Sequence, residues 1–240
     1  MPIGVGALAL AILAVAAGAL LQSTIGFGAA LVSAPLLLLV DARLVPGPAT
    51  VAGIALNLLL VAGHRAHIEW DEVRWPALGL IPGTAVAAWA VTRFDQDRLV
   101  VMSGLAILAG VAVSLMGAAP RRTRPNLLAA GFASGAMNTV ASVGGPPLAL
   151  LHRESSGQRM RAALPPVFVV SGLVTLLALR LAGHVGSDDL VLGVALIPGC
   201  VLGFLGARPL AGRVADEHLR TLVLVVSSAA AVAAIVRAVA

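Results

Sequence analysis

Eight stretches of this chain contain no Asp, Glu, Lys or Arg: residues 1–40, 44–63, 75–92, 99–120, 125–151, 162–179, 190–207 and 221–236. Together they make up about three quarters of the 240 residues. A soluble helix needs a polar face, and runs of this kind leave none. A helix that crosses a bilayer needs about 20 apolar residues, close to the length of most of these runs. Charged residues are 11% of the chain, against about 25% in soluble domains. The expected fold is an all-α polytopic membrane protein, with about eight transmembrane helices plus broken or re-entrant segments in a single membrane domain.

The same pattern excludes soluble enzymes, nucleic-acid modules and secreted disulfide scaffolds. A net charge of +5 would suggest nucleic acid in a soluble chain. Here all 16 basic residues are arginines, nearly all in short loops, where they set topology beside anionic headgroups. The expected partners are therefore the lipid bilayer and a small solute, with no nucleic acid; a homo-oligomer is left open. Cys200 is the single cysteine and cannot form an intrachain disulfide. The chain has no zinc-ligand cluster, so no metal or other cofactor is expected. Residues 1–21 lack the basic start of a cleavable leader, and a second apolar stretch follows. They are expected to be the first helix of the mature protein.

Two of the apolar runs are too long for one span. Residues 1–40 would make about 60 Å of helix against a core of about 30 Å. They are interrupted at Gln22-Ser23-Thr24-Ile25-Gly26-Phe27-Gly28. Residues 125–151 are interrupted at Asn138-Thr139-Val140-Ala141-Ser142-Val143-Gly144-Gly145-Pro146-Pro147. The proline pair lacks two backbone donors, so a continuous helix cannot pass. The interruptions correspond: Gly18 and Gly28 match Gly135 and Gly145 at one offset. Further on, Ala62-Gly63-His64 matches Ala182-Gly183-His184, Leu80-Ile81-Pro82-Gly83 matches Leu196-Ile197-Pro198-Gly199, and Asp97-Arg98-Leu99 parallels Glu217-His218-Leu219. Matches in one order indicate a duplication of residues 1–120 in residues 121–240.

Arginine placement bears on orientation. If residues 125–151 cross once, alternating loops divide the 16 arginines 9 to 7. If the broken segment returns to the side it came from, the split becomes 11 to 5. Arg65, Arg74, Arg121, Arg122, Arg124, Arg153, Arg159, Arg161, Arg208, Arg213 and Arg220 then share one face, and Arg43, Arg93, Arg98, Arg180 and Arg237 the other. The positive-inside rule favours the second layout and assigns the larger group to the cytoplasm. Two inverted repeats are the consequence.

The segment from Ala133-Ser134-Gly135 through Asn138-Thr139, Ser142 and Gly144-Gly145-Pro146-Pro147 to Leu151 resembles the second-half signature of the TauE/SafE-type anion permeases. Gly26-Phe27-Gly28 through Pro35, then Leu44-Val45-Pro46-Gly47-Pro48, resembles the first-half counterpart, and the similarity spans essentially the whole chain. It implies a multi-pass permease of the cytoplasmic membrane that moves sulfite or a small organosulfur anion. Asn138 and Ser142 stand where the family pattern has glycines, and Gly28-Ala29-Ala30 is less glycine-rich than usual.

No arginine or lysine falls inside the charge-free runs, so an anion at mid-depth would be held by backbone amides and neutral side chains. Unwound backbone in a membrane is tolerated where it lines a cavity, half-helix ends suit anions, and inverted-repeat transporters place broken helices around a midplane site. The candidate substrate-binding residues are Gln22, Ser23, Thr24, Gly26, Gly28, Asn57, Asn138, Thr139, Ser142, Gly144 and Gly145. The competing reading is that small and polar residues here join helices. His64, His67, His152 and His184 are expected at the membrane interface, and Glu69, Asp71 and Glu72 in a solvated loop. Cys200 is expected to fill a packing space.

An intramembrane enzyme would need a nucleophile such as Ser134 with a histidine from another helix. Phe132-Ala133-Ser134-Gly135 lacks the Gly-x-Ser-Gly form, and no apolar run carries a His-Glu-x-x-His pair or an aspartate dyad. A scaffold has no use for costly unwound backbone. The expectation is a non-enzymatic permease for a small anion, a short carboxylate being the rival substrate. Without a Gly-x-x-x-x-Gly-Lys loop, its energy would come from a gradient.

Overall fold

The structure is a computed structural model that describes residues 3–116, 120–152, 157–209 and 216–239, apart from the side chains of 157, 158 and 216–223. Arg153, Arg213, Arg220 and the side chains of Glu217-His218-Leu219 thus lie outside the described set. Among the described residues there are ten α-helices and no strand. The first five are α1 (Val5–Ile25), α2 (Ala29–Val40), α3 (Gly47–His64), α4 (Trp70–Val91) and α5 (Gln96–Leu115). The second five are α6 (Arg124–Ala141), α7 (Gly145–Leu151), α8 (Gly157–Leu181), α9 (Ser187–Ala207) and α10 (Asp216–Val239). Among them α1, α3, α5, α8 and α9 contain stretches long and apolar enough to cross a membrane. Large apolar side chains such as Leu13, Val86, Leu105, Leu177 and Val194 face outward, as a lipid-facing surface requires. The protein is an all-α, multi-pass membrane protein. Residues 157–161, expected in a loop, instead form the first turn of α8; a helix extended beyond its apolar run lets Arg159 and Arg161 reach partners at its end.

Both expected breaks exist, and each has a local cause. Gly26 ends α1 at φ 107°, its N–H donating to Gln22 O at 2.7 Å, and Gly28 begins α2 at φ 98°. Two left-handed residues so close together require glycine. At the second break the left-handed residue is Ser142, φ 58°. Its N–H donates to Asn138 O at 2.8 Å, and Pro146 and Pro147 then sit in the first turn of α7, where their missing donors cost nothing.

After the first break the chain doubles back. Leu36, Leu39 and Val40 of α2 lie beside Ala7, Leu10 and Leu13 of α1 around one surface groove, and a Cβ on Gly18 would strike the carbonyl of Ala29. One end of the bundle therefore gathers Arg43, Phe94, Gln96, Val140, His184 and Asp189 around a shared pocket. Arg237 reaches Leu39 O at the same end. The other end gathers Glu72, Arg122 and Arg159. Consequently α1 starts where α6 finishes, and the two run in opposite directions.

Helix pairing repeats across the molecule. α4 packs on α6 as α1 packs on α9; α3 faces α8, α5 faces α10, and α2 meets α10 as α7 meets α5. The tightest pairs rest on glycine. Gly79 and Gly83 of α4 lie on the carbonyls of Leu128 and Phe132, Gly131 and Gly135 of α6 on those of Pro76 and Leu80, and Gly199 and Gly203 of α9 on those of Ile12 and Ala16. Contact order rises together within each pair, so both pairs are parallel. This is the small-residue packing that brings backbones together in lipid.

Candidate functional site

The two breaks meet. An ideal Cβ on Gly145 would lie 3.8 Å from the Gly28 nitrogen and 3.8 Å from Phe27 Cδ2. Around this junction lies a cavity of about 70 Å³, room for roughly five water-sized groups at about 15 Å³ each. Of the expected residues, Gly28, Asn57, Asn138, Ser142, Gly144 and Gly145 line it. Among the described residues no charged side chain does.

The polar lining is held by bonds that settle its donors. Asn57 Oδ1 accepts from Gln22 Nε2 at 2.7 Å, and Asn57 Nδ2 donates to Gly53 O at 2.8 Å. Gln22 Oε1 in turn accepts from Ala29 N at 3.3 Å, tying α1, α2 and α3 together. Asn138 Nδ2 donates to Thr175 Oγ1 at 3.0 Å. Each asparagine NH₂ has two protons, so one remains on each after these bonds. Ser142 Oγ donates to Pro46 O at 2.9 Å and lies 2.9 Å from Thr50 Oγ1, itself a donor to Pro46 O at 2.8 Å. Those hydroxyls brace the break against the start of α3.

Five expected residues are not in the lining. Gln22 acts behind Asn57. Thr139 Oγ1 is buried, donates to Gly135 O at 2.8 Å and lies 3.3 Å from Thr175 Oγ1. Thr24 Oγ1 donates to Leu20 O at 2.8 Å, its carbonyl accepts from Arg161 Nη1 at 2.6 Å, and Gly26 packs on the Arg161 backbone. Ser23 Oγ is buried without a hydrogen-bond partner. On a helix, residues 22, 23 and 24 point about 100° apart, so one face alone can reach a cavity. Sequence reading missed Thr50, Ser33, Phe168 and Cys200 in the lining. Thr50 had a signal, the Pro46-Gly47-Pro48 piece before it; Phe168 on α8 had none. Cys200 is buried, its thiol donating to Ala52 O at 3.2 Å.

Near the other end one expectation is refined and one corrected. His152 does lie at this end of the bundle, but it is packed against protein rather than exposed, at 1% accessibility. Glu72 is not in a solvated loop. It sits in the first turn of α4, where Arg122 Nη1 at 3.0 Å, Arg159 Nη2 at 2.9 Å and His152 Nε2 at 3.4 Å surround it. His152, despite burial, and the two arginines hold its carboxyl below the usual glutamate range. His64, His67 and His184 do lie at helix ends, partly or fully exposed. No metal-binding group of three His, Cys, Asp or Glu exists among the described residues.

No curated protein and no solved structure matches the chain. The family model for sulfite exporter TauE/SafE matches residues 10–234, nearly the whole of the sequence and all of the cavity. The match extends over far more than half of the helical, multi-pass chain, which belongs to the TauE/SafE family of membrane permeases.

Proposed function

We propose that the protein moves a small anion, sulfite or a small sulfonate, across the cytoplasmic membrane by way of the cavity at the two breaks, driven by a gradient. The observation that carries this reading is the convergence of Asn57, Asn138 and the two breaks on a cavity with no charged lining. A compact anion of four or five heavy atoms fits about 70 Å³. Its charge would be met by the spare amide protons of Asn57 and Asn138 and by the positive end of α2, where the Ala29 and Leu31 amides are already bonded to Gln22 Oε1 and Gly28 O. Neutral donors bind an anion without trapping it, which a carrier needs for release. Gly28, Ser142, Gly144 and Gly145 shape the site, with Gln22 holding Asn57 and Thr175 holding Asn138 from behind.

We also read residues 1–120 and 121–240 as two inverted repeats. The opposite directions of α1 and α6 and the matched pairing support this, and on that reading the cavity would lie at the repeat interface, as in other inverted-repeat transporters. A lost hydrogen bond to a charged group is worth about 1.5–3 kcal/mol, roughly 10- to 150-fold in affinity. Asn138→Leu should weaken anion binding by that factor. Asn138→Asp, the same shape with a negative charge, should abolish it, while Thr139→Val leaves it unchanged. Sulfite flux and binding on purified, monodisperse protein measure all three. Wild-type affinity in Asn138→Asp would end the anion reading, and a preference for acetate over sulfite would favour the carboxylate.

A further inference from the structure

His152, buried, and Glu72, partly buried, are titratable groups that the anion cavity does not use. The imidazole is anchored to its own helix, with Nδ1 at 3.0 Å from Leu148 O. A carbonyl oxygen can only accept, so Nδ1 carries a proton. On the far side of the ring, Nε2 lies 3.4 Å from Glu72 Oε2, and among the described residues neither atom has a hydrogen-bond partner. In a neutral ring with its proton on Nδ1, Nε2 presents a lone pair. A lone pair facing carboxylate oxygen in a buried space is unfavourable. A proton on Nε2 turns the same contact into an ion pair.

The surrounding arginines keep the carboxylate ionised. From the α5–α6 connection Arg122 lies 3.0 Å from Glu72 Oε1, and from α8 Arg159 lies 2.9 Å from it and 2.9 Å from Glu69 Oε2. Arg124 of α6 turns to the Trp75 ring instead, 5.1 Å from its centre. The carboxylate therefore stays ionised, and Nε2 is the atom of the pair left to take up a proton. The link to the cavity is α7 itself. Gly145 and Pro146 at its start line the cavity, and His152 closes its end only about 10 Å away.

We propose that Nε2 of His152 and Oε2 of Glu72 form a proton-binding site, and that the proton held there couples α7 and the anion cavity to the pH gradient. With the proton bound, the end of α7 is drawn to α4. On its loss, the facing lone pairs separate the two helices. The proton exchanges with solvent at this end, where Glu69 and Arg159 are 56% and 42% exposed. The coupling rests on the permease reading above; the proton site does not.

Nitrogen NMR of ¹⁵N-histidine-labelled protein in detergent tests the site directly. In the wild type the Nε2 signal of His152, assigned by its absence in His152→Gln, should titrate between protonated and bare forms. In Glu72→Gln, whose side-chain amide can donate to a neutral ring, it should stay bare throughout. A His152 Nε2 that never binds a proton in the wild type would overturn the proposal. Coupling is tested in proteoliposomes with methanesulfonate, whose charge does not change over the working pH range. An imposed pH gradient should accelerate wild-type flux. Glu72→Gln should keep downhill flux and lose the acceleration; acceleration equal to wild type would overturn the coupling. Wild-type protein that moves no small anion would end the permease reading, while a titrating His152 signal would still establish the proton site.

Discussion

At the scale of single residues, the two breaks use glycine for different reasons. Gly28 is at φ 98° with Leu21 Cδ2 3.3 Å from where a Cβ would sit. Gly28→Ala should therefore cost about 1–2 kcal/mol of stability from the left-handed backbone alone. Gly145 has no such torsion, and its nearest neighbours leave ordinary contact distances. Gly145→Val should fold like the wild type yet fill the gap between the breaks, abolishing sulfite flux in proteoliposomes. Normal flux would remove that gap from the pathway. Glu72 sets a second expectation. Its folded carboxyl titrates below the ordinary 4.5, so the pair stabilises the protein above about pH 4.5 and the contribution is lost as pH falls through the lower, folded value. Thermal unfolding in detergent should show wild type losing stability on acidification over that window. Glu72→Gln should start lower at neutral pH and lose less.

At the scale of helices, stability rests on backbone contact more than on large side chains. Each glycine of the α4–α6 seam would place a Cβ against a facing carbonyl, so neither helix can yield without separating from the other. Overpacking usually costs about 1–3 kcal/mol, and backbone offers less give than a side chain. Gly131→Val should reduce the yield of monodisperse protein and lower its melting temperature. Gly53→Val, at a glycine with open space around a built Cβ, should retain normal yield. Equal behaviour of the two would contradict the seam. Because this seam positions Ser134, whose hydroxyl donates to Gly144 O at 2.7 Å, damage to it should also disturb the second break.

At the scale of the whole molecule, the return of α7 after the second break decides topology. It brings Arg159 back to the end that holds Arg122, opposite Arg43 and Arg237, the grouping that the re-entrant layout expects. If the arginines outside the described residues follow the same layout, 11 of the 16 share the Glu72 face, and the positive-inside rule would put that face in the cytoplasm. A reporter fused after Ala240 should be active on the external side; a cytoplasmic signal would discard the layout.

The class of fold was legible because a bilayer leaves the sequence few options: apolar runs of span length must be helices, and Pro146-Pro147 must break one. The positions of both breaks, and the polar residues beside them, followed from the same constraint. Which of those residues reach the cavity did not follow. Thr139 and Asn138 are adjacent in sequence and chemically alike as donors, yet one bonds Gly135 of its own helix and the other lines the cavity. That choice depends on helix rotation, which the glycine seam between α4 and α6 sets. The surroundings of His152 and Glu72 did not follow either. Their position beside loops points to the interface for one and to solvent for the other, and only the packing of α4, α7 and α8 brings them into a partly buried cluster with Arg122 and Arg159, where counter-charges offset the cost of burial.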